Sequence, residues 1–305
     1  MINKLRVILC ILCGAVLIAG LMYRNNRNRN FDNTSPELVA EQEELVVSIA
    51  ATDEELLQGV SAYDKVDGDV SDRIIIEKLE KDTEGDYNEF IITYVCFDKS
   101  GNVARTKRKL IYTDYVRPHF KLESDLRFSI DTSVSLFDYI TAEDSLDGNI
   151  SSFITIDGSR DLGQVTVPGS FLFELSVTNS VGDTVTLPVQ VELYEDTYEE
   201  QVFKPTIVLT DYLVYVDKDS SFNPEDYIDY INDEGRCIIE REESNDEIQT
   251  EYEGEGIAKL KRIPISEIEI DSGVNTKKPG VYNVGYSYTS DNGYTGSTKL
   301  IVVVE

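Results

Sequence analysis

LLQGVSAYDKVDGDVS, at Leu56–Ser71, aligns without gaps with LFDYITAEDSLDGNIS, at Leu136–Ser151, which lies 80 residues further along the chain. The two stretches share their large apolar positions and the pattern D-x-x-D-G-[DN]-x-S. A shorter copy, DYIDYINDEGRCI, begins at Asp226 and has lost one residue before Gly235. Similarity of this kind at a regular spacing is typical of an array built from one structural unit. The sequence therefore predicts three copies of one module.

A second landmark follows each copy: FIITYVCFDKSGN from Phe90, FLFELSVTNSVGD from Phe171 and YNVGYSYTSDNGY from Tyr282. In each landmark an aromatic residue is followed by large residues at every second position, which indicates a β-strand with one buried face. A glycine 11 residues after the aromatic then marks a turn, since glycine tolerates positive φ. These turn glycines are Gly101, Gly182 and Gly293. Each module is therefore expected to end in a β-hairpin.

These landmarks divide the chain into segments. The predicted segments are an N-terminal helix at 1–23, a flexible stalk at 24–42, and modules at 43–116, 117–202 and 203–305. The third module is longer because of an acidic, polar stretch at 240–256, whose composition is typical of a surface loop. Short alternating strands with turn signals, in units of about 75–100 residues, are typical of immunoglobulin-like (Ig-like) β-sandwiches. The predicted fold class is all-β, with three tandem Ig-like β-sandwich domains after an N-terminal transmembrane helix.

The combination of D-G-[DN]-[VI]-S, an aromatic-led strand and a D-x-x-G-N turn resembles the bacterial Ig-like repeat. That family occurs in tandem on Gram-positive surface proteins and in an insecticidal crystal toxin. The resemblance is strongest at Asp67–Ser71 and Asp98–Asn102, and it is weaker in the third module, where D-G-[DN] is absent. It implies an Ig-like fold and extracellular display, and it does not imply an activity.

The charge of the chain disfavours two classes of function. There are 57 acidic residues against 28 basic ones, a net charge of −29, which would repel the phosphates of nucleic acid. The single histidine restricts acid–base chemistry, and no G-x-S-x-G, H-E-x-x-H or P-loop motif occurs. We therefore expect no nucleic-acid partner and no enzymatic activity. An enzyme with its site in the third-module insertion is the least favoured alternative.

An uncharged run, VILCILCGAVLIAGLMY, occupies Val7–Tyr23 and is flanked by basic residues. At about 1.5 Å per residue it nearly spans a bilayer as a helix, so we expect a single-pass anchor in the cell membrane. A cleaved signal peptide is the alternative, but the run lacks a small-x-small cleavage site. The predicted topology places the N-terminus in the cytoplasm and the acidic body outside the cell. The polar, aperiodic residues 24–42 are typical of a flexible stalk.

The acidic residues of the repeated loop are candidate calcium ligands, because Ca²⁺ prefers several carboxylate oxygens. The candidates are Asp64, Asp67 and Asp69 in the first copy, with Asp144 and Asp147 in the second. The simpler interpretation is that these side chains cap backbone amides of a turn. The second copy carries asparagine in place of the third aspartate, which leaves fewer ligands. The sequence therefore favours no cofactor, with Ca²⁺ as the alternative.

Nine of the 18 tyrosines lie in the third module. Three of them, Tyr282, Tyr286 and Tyr288, share the inward phase of a strand. The others outside the insertion could contact a ligand, because the ring adds apolar area and the hydroxyl a hydrogen bond. These candidates are Tyr212, Tyr215, Tyr227, Tyr230 and Tyr294. The single His119 is interpreted as an incidental strand residue near a module junction.

The predicted function is that of a non-catalytic Ig-like protein, anchored in the membrane and displayed at a bacterial cell surface. It would serve as an adhesion or recognition module, or as a structural spacer. Its expected partners are the membrane, through the N-terminal helix, and an extracellular protein or glycan. The alternative is a carbohydrate-binding accessory protein of a surface polysaccharide system.

Overall fold

The chain is all-β in its computed structural model, which describes residues 14–23, 32–132, 135–157, 167–241 and 261–305. It divides into two compact units, a first unit at Met1–Val116 and a second unit at Arg117–Glu305. The described helices are α1 (14–23), α2 (Asp53–Leu56) and α3 (Tyr198–Val202). Short 3-10 helices lie at Ser71–Arg73, Leu136–Asp138, Ser151–Phe153, Pro224–Tyr227 and Ile265–Glu267.

The first unit contains a three-stranded and a four-stranded sheet. Its strands are β1 (Glu37–Ala40), β2 (Glu44–Val47), β3 (Val60–Asp64), β4 (Gly68–Asp69), β5 (Ile74–Lys81), β6 (Glu89–Phe97) and β7 (Val103–Tyr112). The sheet orders are β1-β3-β4 and β2-β7-β6-β5, and β2 runs parallel to β7. Phe90, Ile92 and Tyr94 on β6 are fully buried. The Tyr94 hydroxyl donates to the Leu56 carbonyl at 2.6 Å, so its hydrogen-bonding need is met inside the core.

The second unit begins with a sandwich that repeats this arrangement. Its strands are β8 (His119–Leu122), β9 (Arg127–Ser129), β10 (Ile140–Asp144), β11 (Gly148–Asn149), β12 (Thr155–Asp157), β13 (Gly169–Thr178) and β14 (Thr184–Tyr194). The sheet orders are β11-β10-β8 and β12-β13-β14-β9, and β9 runs parallel to β14. Alternate residues of β13, Phe173, Leu175 and Val177, are buried, as a strand with one covered face requires.

A third sandwich completes the second unit. Its strands are β15 (Thr206–Leu209), β16 (Leu213–Val216), β17 (Ile228–Asn232), β18 (Arg236–Glu240), β19 (Arg262–Pro264), β20 (Glu269–Ser272), β21 (Gly280–Thr289) and β22 (Thr295–Val304). The sheet orders are β15-β17-β18-β19 and β16-β22-β21-β20, and β16 runs parallel to β22. Tyr286 and Tyr288 are buried on β21 and Tyr282 is half-buried, which confirms an inward phase for the first two.

The hairpin prediction is confirmed in all three sandwiches. Gly101 lies between β6 and β7, Gly182 between β13 and β14, and Gly293 between β21 and β22. Their φ angles are 87°, 85° and 85°, a region that strains residues with a side chain. The glycine at this position is therefore required by the turn, which explains its regular spacing in the sequence.

The second and third sandwiches pack directly against each other. Ile301 of β22 belongs to the apolar core of the second sandwich, where the partly buried Leu213 and Val303 also pack. The Phe120 amide donates to the Tyr215 hydroxyl at 2.8 Å, and the His119 ring lies 3.9 Å from the Tyr215 ring. Burial raises the pKa of Tyr215 to about 12, so this phenol stays neutral at physiological pH. Apolar and polar contacts together join the two sandwiches into one unit.

The partly buried carboxyl of Asp125 lies at the same junction, and its removal should stabilise the second unit. The Thr298 hydroxyl donates to Asp125 at 2.9 Å. Burial raises the pKa of Asp125, and the hydrogen bond from Thr298 only partly offsets this effect. The native state therefore binds this proton more tightly than the unfolded chain, and stability is lost as the pH rises through the native pKa. We expect Asp125→Asn to raise Tm at pH 7 by a few degrees, measured by thermal denaturation.

The gain should shrink as the pH falls toward about 3.9, where an unfolded aspartate also becomes protonated. A conservative Thr298→Val variant removes the donor to Asp125 and serves as the comparison. A lower Tm of Asp125→Asn at pH 7 would contradict the argument.

The stalk prediction is wrong in its C-terminal part. Residues Glu37–Ala40 form β1, which pairs antiparallel with β3, so the first sandwich begins before residue 43. This strand reads ELVA, so its sequence shows no apolar–polar alternation, and only its burial alternates, with Leu38 and Ala40 half-buried and Val39 exposed. Residues 24–31 of the predicted stalk lie outside the described residues.

Two other predictions fall wholly or partly outside the described residues. Of the expected transmembrane run, only 14–23 is described; it forms α1, and residues 1–13 are not described. Within the described parts of the chain, no helix combines the length and the apolar composition that crossing a bilayer requires. The acidic insertion predicted at 240–256 falls almost entirely in 242–260, which is not described.

Candidate metal-binding site

The acidic loop of the first sandwich is built around the Asp64 carboxylate. Its Oδ1 atom accepts hydrogen bonds from the backbone amides of Val66 and Asp67, at 2.8 and 2.9 Å. Asp67 in turn accepts from the Lys99 amide at 2.7 Å, which ties this loop to the β6–β7 turn. The sequence-based interpretation of Asp64 as a cap for turn amides agrees with these bonds.

The third aspartate of the loop, Asp69, faces the following 3-10 turn. Its Oδ1 atom accepts from the Ser71 amide at 3.0 Å and from the Ser71 hydroxyl at 2.6 Å. The hydrogen bond from the Ser71 side chain holds the pKa of Asp69 below its usual range. In the second sandwich Asn149 accepts from the Ser151 amide at 3.0 Å, so an amide performs the same structural task. Neither residue belongs to the acidic group described next.

Three carboxylates converge beneath this loop, from Asp32, Asp64 and Asp98. One oxygen from each lies within 4.8 Å of the other two. Asp64 is 1% and Asp98 5% exposed, whereas most aspartates in proteins lie on the surface. Oxygen atoms at this spacing could hold a cation of the Ca²⁺ type, which takes carboxylate ligands at about 2.3–2.6 Å.

The Asp98 carboxylate is fixed by the hairpin turn. It accepts from the Asn102 amide at 2.8 Å and from the Asn102 side-chain nitrogen at 2.7 Å. Burial alone would raise the pKa of Asp98, but the hydrogen bonds from Asn102 outweigh burial and lower it. The Asn102 side chain also donates to the Asp32 carbonyl at 3.2 Å. This asparagine therefore holds two members of the group in place, and Asp98 is ionised at neutral pH.

One member of this group, Asp64, is predicted from the sequence, and the other two are not. Asp32 lay in the segment interpreted as a stalk, and Asp98 was interpreted only as a turn residue. The group joins positions 32, 64 and 98, and no local motif shows that these positions meet. The repeat alignment contained one usable signal, because Asp98 stands where the second copy has Asn179.

The second-copy candidates, Asp144 and Asp147, form the equivalent loop. Asp144 accepts from the Asp147 amide at 2.7 Å. Asp147 accepts from the Ser180 amide at 2.7 Å and from the Ser180 hydroxyl at 2.8 Å, which again ties the loop to the hairpin turn. Among the residues that the structure describes, no group of three metal-binding side chains includes Asp144 or Asp147.

The five candidate tyrosines all lie in the third sandwich. All are half-buried, and each contacts another part of the chain. Their contacts are Tyr212 with the Leu209 amide, Tyr215 with His119, Tyr227 with Phe222, Tyr230 with Arg236, and Tyr294 with Phe203. The rings therefore contribute to packing within the second unit.

A shallow groove lies between β9, β14 and α3 in the second unit. Its lining includes Arg127, Tyr194 and Glu200. The Arg127 guanidinium stacks 4.0 Å from the centre of the Tyr194 ring and donates to Glu200 at 2.8 Å. These groups already satisfy one another, so the groove presents little unused hydrogen-bonding capacity.

The two described cysteines, Cys96 and Cys237, are both buried and free. Burial raises the pKa of each thiol, which keeps it protonated and weakly reactive. His119 Nε2 is hydrogen-bonded to the Glu305 carboxylate at 3.1 Å, and its ring lies against the Tyr215 ring at a tilt of 34°. All three side chains have structural partners.

Comparison with known proteins assigns no family. No protein-family model matches the chain, and no curated protein matches it. Among solved structures, a Clostridium perfringens ZmpB structure of CBM51-2 in complex with GlcNAc and INT domains is 16% identical, with a TM-score of 0.21. The match covers 50% of this chain and 26% of the ZmpB chain. In a second ZmpB structure, this chain spans 31% of the length of the matched chain.

Cadherin domains match the chain with similarly low sequence identities and TM-scores. Domains 1–4 of protocadherin gamma B7 are 13% identical over 89% of this chain and 76% of that one, with a TM-score of 0.20. Drosophila N-cadherin EC1-4 is also 13% identical, over 71% and 57% of the two chains, with a TM-score of 0.21. These TM-scores are too low to carry an inference about function.

Proposed function

We propose that the chain is a non-catalytic spacer of tandem Ig-like sandwiches, anchored at a bacterial cell surface by its N-terminal segment. The observation that carries the proposal is the packed junction between the second and third sandwiches. Ile301 enters the core of the neighbouring sandwich, and the Tyr215 hydroxyl accepts from the Phe120 amide. A junction with shared apolar core and directed hydrogen bonds restricts rotation between modules, which a spacer of fixed length requires.

The spacer proposal is tested by the distance between spin labels on the two sandwiches. Glu174 on β13 and Glu269 on β20 are exposed, so cysteine-linked labels at these positions should not disturb the cores. We expect a narrow distance distribution in the full chain. The double variant Tyr215→Ala/Ile301→Ala should broaden it, because it removes both kinds of contact.

The variant Leu172→Ala provides a matched control, since Leu172 lies on β13 and is 76% exposed. It should leave the distribution unchanged. A broad distribution in the unmodified chain would refute the spacer proposal.

The surface location is tested separately, by external protease on intact cells. We expect release of a folded fragment after cleavage before Glu37, where β1 begins and the backbone becomes paired. Two results would refute this location: full protection until the cells are lysed, or a secreted protein whose mature N-terminus lies near residue 20.

A further inference from the structure

Two buried oxygens in the first sandwich have no hydrogen-bond donor. The Oδ2 atoms of Asp32 and Asp64 are both buried and unpartnered. In each carboxylate the other oxygen is held by the chain: Asp32 Oδ1 by the Thr34 amide and hydroxyl, and Asp64 Oδ1 by the Val66 and Asp67 amides. Buried oxygens without a hydrogen-bond donor are rare in folded proteins, and each calls for an explanation such as a bound ion or an ordered water molecule.

The charges of the group are also uncompensated by the described chain. None of the three carboxylates, Asp32, Asp64 or Asp98, forms an ion pair with a described lysine, arginine or histidine. Removing carboxylates from water and placing them side by side is unfavourable unless a cation joins them. The first sandwich thus carries a concentration of negative charge at a buried position.

In the second sandwich, the chain itself supplies a hydrogen-bond donor to the aspartate that is equivalent to Asp64. Asp144 is equivalent to Asp64, because each lies two residues past an alanine that pairs with the first strand of its sandwich. Asn179 is equivalent to Asp98, because the backbone amide of each donates across the hairpin turn to the carbonyl four residues further on, in Asp183 and Asn102 respectively. The Asn179 side-chain nitrogen donates to Asp144 Oδ2 at 2.6 Å, so that oxygen has a donor.

The third sandwich neutralises the position in another way. Asp233 is the equivalent aspartate, two residues past Ile231, which pairs with β15. The Lys261 ammonium lies 2.8 Å from Asp233 and 2.9 Å from Asp291. One position is therefore occupied by an amide donor in the second sandwich and by an ammonium group in the third. In the first sandwich the corresponding oxygen, Asp64 Oδ2, has no hydrogen-bond donor among the described residues, and the carboxylates of Asp32 and Asp98 lie close to that of Asp64.

We propose that Asp32, Asp64 and Asp98 bind a calcium ion in the first sandwich. The three ligand oxygens lie within 4.8 Å of one another, which is close enough for one ion to reach each of them at a Ca²⁺–oxygen distance of about 2.4 Å. The donor set is all oxygen, which disfavours zinc and copper, since these prefer nitrogen and sulfur ligands. Water completes the coordination sphere, because three carboxylates that each offer one oxygen supply only three of the roughly six to eight oxygens that Ca²⁺ takes.

The site also differs from the acidic loop singled out in the sequence. Asp67 and Asp69 lie in the same loop as Asp64, but their oxygens accept from Lys99 and Ser71. The calcium ligands come instead from the segment before β1, the end of β3 and the end of β6. Binding therefore joins the start of the first sandwich to its last hairpin.

The test uses the full chain, freed of metal with EDTA and titrated with CaCl₂ in a calorimeter. We expect saturable binding of one Ca²⁺, and a rise in Tm of about 5 °C or more at saturating metal, because a ligand of the native state stabilises it. Hydrogen exchange should slow in β1, β3 and β6. Absence of both binding heat and a Tm shift would refute the proposal.

The decisive variant is Asp98→Asn, which copies Asn179 of the second sandwich. We expect this variant to fold and to bind Ca²⁺ at least tenfold more weakly than the wild type. Without metal, its Tm should be higher than that of the wild type. The last effect follows because the new amide can donate to Asp64, as Asn179 does to Asp144. Asp32→Asn gives a second variant that should also weaken binding.

Asp69→Asn is the matched control, since it removes one charge from the same loop and copies Asn149. It should bind Ca²⁺ like the wild type. Equal loss of binding in Asp69→Asn and Asp98→Asn would show a nonspecific effect of net charge and overturn the assignment. An equal Tm response to Mg²⁺ would overturn the choice of calcium.

Discussion

Phe90→Ala should destabilise the first unit by about 3–5 kcal/mol, the usual range for removing a fully buried aromatic ring. Phe90 is 0% exposed, and its ring packs edge-on against Tyr112 at 5.3 Å and Tyr115 at 4.9 Å between ring centres. The variant removes these contacts and leaves a cavity that the stiff hairpin strands cannot close. Hydrogen exchange in β6 and β7, measured against denaturant, reports the loss locally.

The equivalent residue of the second sandwich provides the control. Phe171 occupies the same place at the start of β13 but is only half-buried. Phe171→Ala should therefore destabilise the second unit by a smaller amount, because less apolar area returns to water. Equal losses in the two variants would contradict the larger effect expected from the full burial of Phe90.

Arg117→Met should destabilise the second unit, because it removes the guanidinium that is paired with the buried Asp183 carboxylate. Asp183 is 2% exposed, and the Arg117 guanidinium donates to both of its oxygens, at 3.2 and 2.8 Å. Breaking a buried pair on one side is far more damaging than removing both partners. We expect a loss of about 2–4 kcal/mol, reduced from the fully buried case because the Arg117 side chain is 39% exposed. Urea denaturation of the full chain measures it.

The first sandwich supplies the compensating variant. Asn102 stands at the position of Asp183, and Ser35 at the position of Arg117, one residue before the proline that precedes the first strand. The double variant Arg117→Ser/Asp183→Asn should therefore recover most of the stability lost by Arg117→Met. A double variant as unstable as the single one would mean that the arginine acts through its other contacts.

The hairpins could be predicted from sequence because their information is local. Alternation along β6, β13 and β21 reports which face is buried, and a glycine at fixed spacing reports the turn. β1 is not predicted from the sequence, because four residues within a polar stretch are too few to show a strand periodicity. Its place is determined by pairing with β3, which is a tertiary contact.

The candidate metal site was only partly predictable for a related reason. Asp64 belongs to a repeated loop, so alignment of the copies singled it out. Asp32 and Asp98 become significant only when β1 and the last hairpin bring them to the same point. The ion pair between Lys261, which follows the insertion, and Asp233, which precedes it, is likewise not predictable from the sequence. Compensation of charge between distant segments is determined by the fold and is not visible in any window of residues.

The parallel pairing that recurs in every sandwich determines how the protein responds to tension. In each sandwich an early strand pairs in parallel with the last strand: β2 with β7, β9 with β14, and β16 with β22. When opposite ends of a sandwich are pulled apart, two such neighbours are forced to slide past each other along their length. Their ladder hydrogen bonds then bear the load together, whereas antiparallel neighbours pulled from one end would open one bond at a time. Each sandwich should therefore resist extension until a whole ladder breaks at once, at a force set by its unfolding rate.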